Sequence, residues 1–149
     1  MSQKKSAPSD GPIEVLRLDN QLCFALYGAA NRMTRLYRPM LDALGLTYPQ
    51  YLAMLVLWEA SPRTVGALGD ALDLDSSTLT PLLKRLEAGG LVERTRDPED
   101  ERRVIVALTD KGRALRDQAV SIPEKLFCAL DMPLETVGAL RDQLKTVAK

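Results

Sequence analysis

The chain has 149 residues, 46% of them hydrophobic, with 20 basic side chains against 20 acidic ones and no histidine. That length suits one domain with a sizeable core, and zero net charge does not advertise a nucleic-acid binder. The missing histidine excludes Ser-His-Asp and Cys-His catalysis and the usual His-containing zinc sites, so neither an enzyme of those kinds nor a metal centre is expected.

The opening MSQKKSAPSDGP has no apolar segment of signal-peptide type, and residues 1–12 read as a disordered tail. No run approaches the ~18 apolar residues of a membrane span, so a cytoplasmic chain without membrane attachment is expected. Residues 13–149 read as a single protomer. A helical pattern runs from Ile13 to Arg38, with Leu22, Ala25, Leu26, Ala29, Met33 and Leu36 as its apolar stripe. Pro39 should kink or interrupt it, and Gly45 closes the short segment beyond that proline. Thr47 and Gln50 form a T-x-x-Q capping box with Pro49 in the first turn. The helix they open, to about Ala60, is apolar nearly all round and reads as buried. Ser61-Pro62 breaks it.

Thr64 to Leu72 is a short helix, and Asp73-Leu74-Asp75 is a tight turn before a second helix from Ser76. In that helix Leu79, Leu82, Leu83 and Leu86 share one face, leaving Ser76, Ser77, Thr78, Thr80, Lys84 and Arg85 outward. Pro81 lies a turn and a half inside and should free a carbonyl near Ser77. Gly89 and Gly90 stop the helix, and Leu91–Arg96 and Arg103–Leu108 come next as two strands of a charged hairpin. Helix, short turn, polar-faced helix is the helix-turn-helix layout, whose second helix enters the DNA major groove. From Pro81 to Arg116 there are nine Lys/Arg against seven Asp/Glu, so a DNA binder must aim a few cations, doubled by dimerisation. Thr109 should cap a helix running to about Ser121, Pro123 interrupts, and a last helix spans about Pro133 to Ala148. The long flanking helices, 13–45 and 110–149, read as dimerisation elements around a DNA-binding unit at 64–109. The expected fold is mainly α with a small β-hairpin wing.

This layout resembles the MarR family of winged-helix regulators. Its wing signature is present as Asp100, Arg102, Val104, Ile105, Val106, Leu108 and Thr109. Over Leu18–Glu59 the segment LDNQLCFALYGAANRMTRLYRPMLDALGLTYPQYLAMLVLWE is similar to the organic-hydroperoxide-sensing branch, the OhrR-type repressors, and Cys128 matches their two-cysteine subgroup. The resemblance implies a homodimeric repressor of a pseudo-palindromic double-stranded DNA operator, with an organic hydroperoxide as oxidant and no cofactor. It makes Cys23 the peroxidatic cysteine, Tyr37 and Tyr48 its hydrogen-bonding partners and Cys128 the resolving cysteine. It puts Arg102 in the minor groove, held by Asp100. Arg94 and Arg96 are further candidates for DNA contact.

On the residues alone, a cysteine between Leu22 and Phe24 is more often a small buried hydrophobe. A sensor needs a thiolate, yet in mid-pattern no helix N-terminus helps Cys23 and no cation neighbours it at i±4. Phenol donors are the substitute. Tyr37 lies fourteen residues on, ~21 Å along a straight helix at ~1.5 Å per residue, so a tyrosine reaching this sulfur must come from the other subunit. Two rivals remain open: a MarR-type repressor released by a small phenolic ligand, with passive cysteines, and a turnover thiol peroxidase.

Overall fold

The computed structural model describes residues 12–148. The expected tail lies outside the described residues except for the backbone of Pro12, which opens α1 (Pro12–Val15). The chain divides into an N-terminal unit ending at Arg35 and a larger unit from Leu36.

In the N-terminal unit the expected single helix is broken. α1 is succeeded by a 3-10 turn (Leu18–Asn20) and then by α2 (Leu22–Asp42). Side-chain amides hold the break open: Asn20 Nδ2 donates to the Glu14 carbonyl at 2.8 Å, and Gln21 Nε2 to that of Val15 at 2.8 Å. The Val15 carbonyl gains in this way a partner that the end of α1 does not supply, while that of Glu14 also accepts Arg17 N–H at 3.2 Å. No described residue before Leu36 is buried.

The larger unit holds the core. Pro39 does not interrupt α2, which continues to Asp42; Arg35 and Pro39 are both exposed. Gly45, at φ +69°, ends the helix with Leu46 N–H donating to the Leu41 carbonyl at 3.1 Å and Gly45 N–H to that of Asp42 at 3.1 Å, a Schellman closure. The capping box forms as expected, Gln50 N–H to Thr47 Oγ1 at 3.4 Å and Thr47 N–H to Gln50 Oε1 at 2.9 Å, and opens α3 (Tyr48–Glu59). β1 (Arg63–Thr64), α4 (Val65–Leu72) and α5 (Ser76–Ala88) come next. Pro81 sits inside α5 without breaking it.

β2 (Val92–Arg96) and β3 (Val104–Leu108) form the hairpin. A third strand joins it: β1 pairs with β3 through Arg63 and Val106, giving the order β1-β3-β2. α6 (Asp110–Ala119), α7 (Ile122–Leu130) and α8 (Leu134–Val147) complete the chain. Pro123 thus starts a helix, α7, in whose first turn it lies. Met54, Leu57, Leu68, Leu79, Leu83, Leu86, Val92 and Val106 are all but sealed from solvent. α8, by contrast, buries nothing and leaves Leu134, Leu140, Leu144 and Val147 exposed.

α6 docks through Gly112. A Cβ there would overlap the Leu91 carbonyl and lie 3.2 Å from Leu108 Cδ2, while Trp58 Nε1 donates to the Gly112 carbonyl at 2.9 Å. Gly112→Ala should therefore destabilise the fold by about 1–3 kcal/mol, the usual cost of overpacking, read as a lower denaturant midpoint at unchanged slope. An unaltered midpoint would show that α6 shifts freely.

Candidate functional site

Two groups of side chains stand out. The first is the surface expected to face DNA. Asp75 caps α5, its Oδ1 accepting from Thr78 N–H at 2.8 Å and from Ser77 Oγ at 2.7 Å. These bonds, that of Ser77 foremost, hold its carboxyl below the usual carboxylate range. Thr80 Oγ1 donates to the Ser76 carbonyl at 2.7 Å. The hydroxyls of Ser77 and Thr80, expected to face DNA, are thus turned onto their own helix. Ser76, Thr78, Lys84 and Arg85 are exposed.

At the end of α5, Gly90 takes the left-handed conformation at φ +73°. Leu91 N–H donates to the Leu86 carbonyl at 3.0 Å, and Gly90 N–H to that of Glu87 at 2.9 Å, so the chain turns directly into β2. The wing loop organises around Asp100. Arg102 N–H and Nε donate to Asp100 Oδ1 at 3.2 and 3.1 Å, and Arg103 Nε lies 3.6 Å from Oδ2. The Arg102 bonds are the main reason the Asp100 carboxyl is held low. The Arg102 side chain is 91% exposed, an anchored cation offered to solvent. Arg96 Nη1 donates to the Glu101 carbonyl at 3.0 Å across the loop. Arg94 departs from expectation, because its guanidinium is taken by Glu87 through Nε at 3.0 Å and Nη2 at 2.8 Å.

The second group is aromatic. Tyr37 and Tyr48 stack with ring centroids 4.9 Å apart, Tyr51 lies 5.7 Å from Tyr37, and Trp58 meets Tyr51 edge-on at 6.4 Å. Burial, then the neighbouring phenols of Tyr48 and Tyr51, pushes the Tyr37 hydroxyl up to about 12. Burial also raises Tyr48 and Tyr51. All three remain protonated at neutral pH and are hydrogen-bond donors. Tyr51 and Trp58 were not picked out from sequence as members of this cluster, although Tyr48 and Tyr51 are helical neighbours at i and i+3.

Both cysteines are exposed in the protomer, which removes the reading of either as a core hydrophobe within one chain. Cys23 is the second residue of α2, not mid-helix. Its side chain therefore belongs to a first helical turn. The early break after α1 creates that start, and the unbroken apolar periodicity concealed it. Cys128 lies in α7. Among the described residues, no group of three or more His, Cys, Asp or Glu is placed to hold a metal ion, and no described helix is long and apolar enough to cross a membrane.

Residues 35–119 match the family model described as transcriptional regulator SarA/Rot. The chain is 47% identical, over 89% of its own length and 90% of the relative's, to the organic hydroperoxide resistance transcriptional regulator of Bacillus subtilis strain 168. Among solved structures it is similar to reduced AbfR bound to DNA, at 38% identity and a TM-score of 0.75, covering 91% of this chain and 95% of that one. It is also similar to disulfide-formed AbfR, at 39% identity and a TM-score of 0.64, covering 92% and 96%. AbfR is a protein of Staphylococcus epidermidis.

Proposed function

This chain belongs to the MarR family of winged-helix transcriptional regulators, SarA/Rot type, and we propose that it is a homodimeric repressor released from its operator when an organic hydroperoxide oxidises Cys23. The observation that carries the reading is Cys23 itself, exposed in the first turn of α2 in a chain 47% identical to a hydroperoxide resistance regulator. That likeness also disfavours the rival of a phenolic effector with passive cysteines.

The chemistry needs only this chain and the oxidant. The Cys23 thiolate attacks the hydroperoxide, an S–O bond forms, the O–O bond breaks, and the alkoxide leaves and is protonated to an alcohol. The resulting sulfenic acid condenses with the Cys128 thiol to a disulfide, releasing water. Tyr37 and Tyr48 of the partner subunit donate to the sulfur: fourteen helical residues, ~21 Å, separate Cys23 from the Tyr37 of its own α2, and Tyr48 stacks against Tyr37. Exposed Ile13, Leu16, Leu22 and Phe24, and separately the apolar side of α8, are the surfaces a second copy covers.

On DNA, α5 occupies the major groove with Ser76 and Thr78 at its start, Lys84 and Arg85 meet phosphates, and Arg102 enters the minor groove. The capped start of α5, with Ser77 and Thr80 engaged, and the Arg96 bond across the loop stiffen these parts. Two copies across a two-fold axis read a pseudo-palindromic site. A gel shift on the DNA upstream of the protein's own gene, with and without organic hydroperoxide, tests the reading: the retarded band should vanish with oxidant and return with a thiol reductant. Repeated turnover with no operator affinity would instead mark a thiol peroxidase.

Arg102→Ala should weaken operator binding and lower the salt slope by about one unit per subunit, as for one lost electrostatic contact. Unchanged affinity and slope, measured by fluorescence anisotropy across a potassium chloride series, would show the wing tip to be idle.

A further inference from the structure

Among the described residues, the Glu87–Arg94 pair joins two different elements, α5 and β2, whereas every other ion pair links side chains no more than three residues apart. Glu87 is in the last turn of α5, where a carboxylate opposes the helix dipole, so its presence calls for a compensating partner. Arg94 supplies one from the middle of β2, with Nε and Nη2 both donating to Glu87 Oε2 at 3.0 and 2.8 Å. The other carboxylate oxygen accepts the Arg94 backbone N–H at 3.2 Å. β2 is an edge strand, flanked only by β3, so that N–H faces away from the ladder and would otherwise be unpaired. Glu87 therefore holds both the side chain and the main chain of Arg94. The Arg94 side chain is 23% exposed, in contrast to Arg102 at the far end of the same hairpin. Opposite Arg94, Val106 is buried, so the held point is the packed base of the wing.

We propose that Glu87 and Arg94 are positioning residues for operator binding: they clamp the base of the wing to the end of α5, so that helix and wing meet DNA as one body, and Arg94 itself touches no DNA. The proposal rests on α5 and the wing being the DNA-contacting elements. A free wing would still reach the groove, releasing the same counterions, but would first have to be ordered. Affinity falls while the salt slope stays.

Simple electrostatics predicts the opposite sign for Glu87. Removing a negative charge beside DNA should tighten binding, whereas removing half of a clamp should weaken it. The experiment measures the affinity of full-length dimers for the operator and for a scrambled duplex across a salt series, using Glu87→Gln, Arg94→Ala, Arg94→Lys and the double variant Glu87→Gln/Arg94→Ala. Thermal midpoints establish that each is folded at assay temperature. Each single variant should lose about tenfold in operator affinity at unchanged slope, with scrambled-duplex affinity held, and the double variant should lose no more than a single one. Arg94→Lys should fail like alanine, because an ammonium lacks the fixed fork. A role confined to stability would leave the ratio of operator to scrambled affinity untouched, and that result overturns the proposal. So does a Glu87→Gln protein that binds as tightly as the wild type or tighter. An Arg94→Ala slope lower by about one unit per subunit, rescued by lysine, also overturns it by making Arg94 a phosphate contact. The wild type tests the underlying reading separately: equal affinity for operator and scrambled duplex would remove sequence-specific regulation, not the clamp.

Discussion

Cys23→Ser binds the operator with wild-type affinity and remains bound when organic hydroperoxide is added. The expected loss of response is complete, because a serine hydroxyl is not oxidised by a hydroperoxide and Cys128 alone has no sulfenic acid to resolve. Folding should be preserved, since Cys23 is exposed in the protomer and serine is nearly isosteric. The phenols grade the same response. Tyr37, with its hydroxyl pushed up to about 12, stays a donor at every pH at which the protein functions. Deleting one donor to a charged sulfur removes about 1.5–3 kcal/mol of stabilisation, so Tyr37→Phe and Tyr48→Phe should each slow oxidation by tenfold or more without altering operator affinity. Rates of thiol loss, tracked by mass spectrometry under limiting hydroperoxide, check both statements. A Cys23→Ser protein that still leaves DNA on treatment puts the sensor elsewhere.

The features legible in the sequence were local. Thr47 with Gln50, Thr109 ahead of α6, and Gly90 after α5 are caps whose partners lie within a few residues, and all formed. The leucine face of α5 was legible for the same reason: Leu79, Leu82, Leu83 and Leu86 are all buried. The errors came where a local rule was overridden from outside its window. Periodicity ran straight through Leu16–Gln21, but the amides of Asn20 and Gln21 reach back to α1 carbonyls and restart the helix at Leu22. That restart changes the setting of Cys23 from mid-helix to first turn. β1 has two residues, too few for any alternation to show, and exists only because β3 offers it an edge. Arg94 is a candidate on a wing strand, where alternation turns only some side chains toward DNA. Nothing nearby in sequence revealed that Glu87, seven residues before it and across the glycine turn, would face it.

A disulfide between Cys23 of one subunit and Cys128 of the other should cross-link the dimer under mild oxidation, giving a covalent dimer on non-reducing gels. Tyr37 lies fourteen residues beyond Cys23 along the same α2, ~21 Å at ~1.5 Å per residue, so on the proposed reading its phenol reaches the sulfur from the partner and the sensor is an interface site. The two-cysteine resemblance then supplies Cys128 as the resolving thiol. A bridge across that interface ties an N-terminal helix of one subunit to α7 of the other, so it changes the relation between the two DNA-reading units, as a redox switch requires. Cys128→Ser should lose the bridge and accumulate sulfenic and over-oxidised Cys23. Mixing Cys23→Ser with Cys128→Ser chains under subunit exchange discriminates between pairings. Each mixed dimer holds one intact Cys23 and one intact Cys128 on opposite chains. An intersubunit bridge forms there and cross-links the heterodimer, whereas a bridge within one chain has no pair of sulfurs to form from. Absence of the cross-linked heterodimer, with exchange verified by mass-tagged chains, would leave Cys128 without its resolving role across the interface.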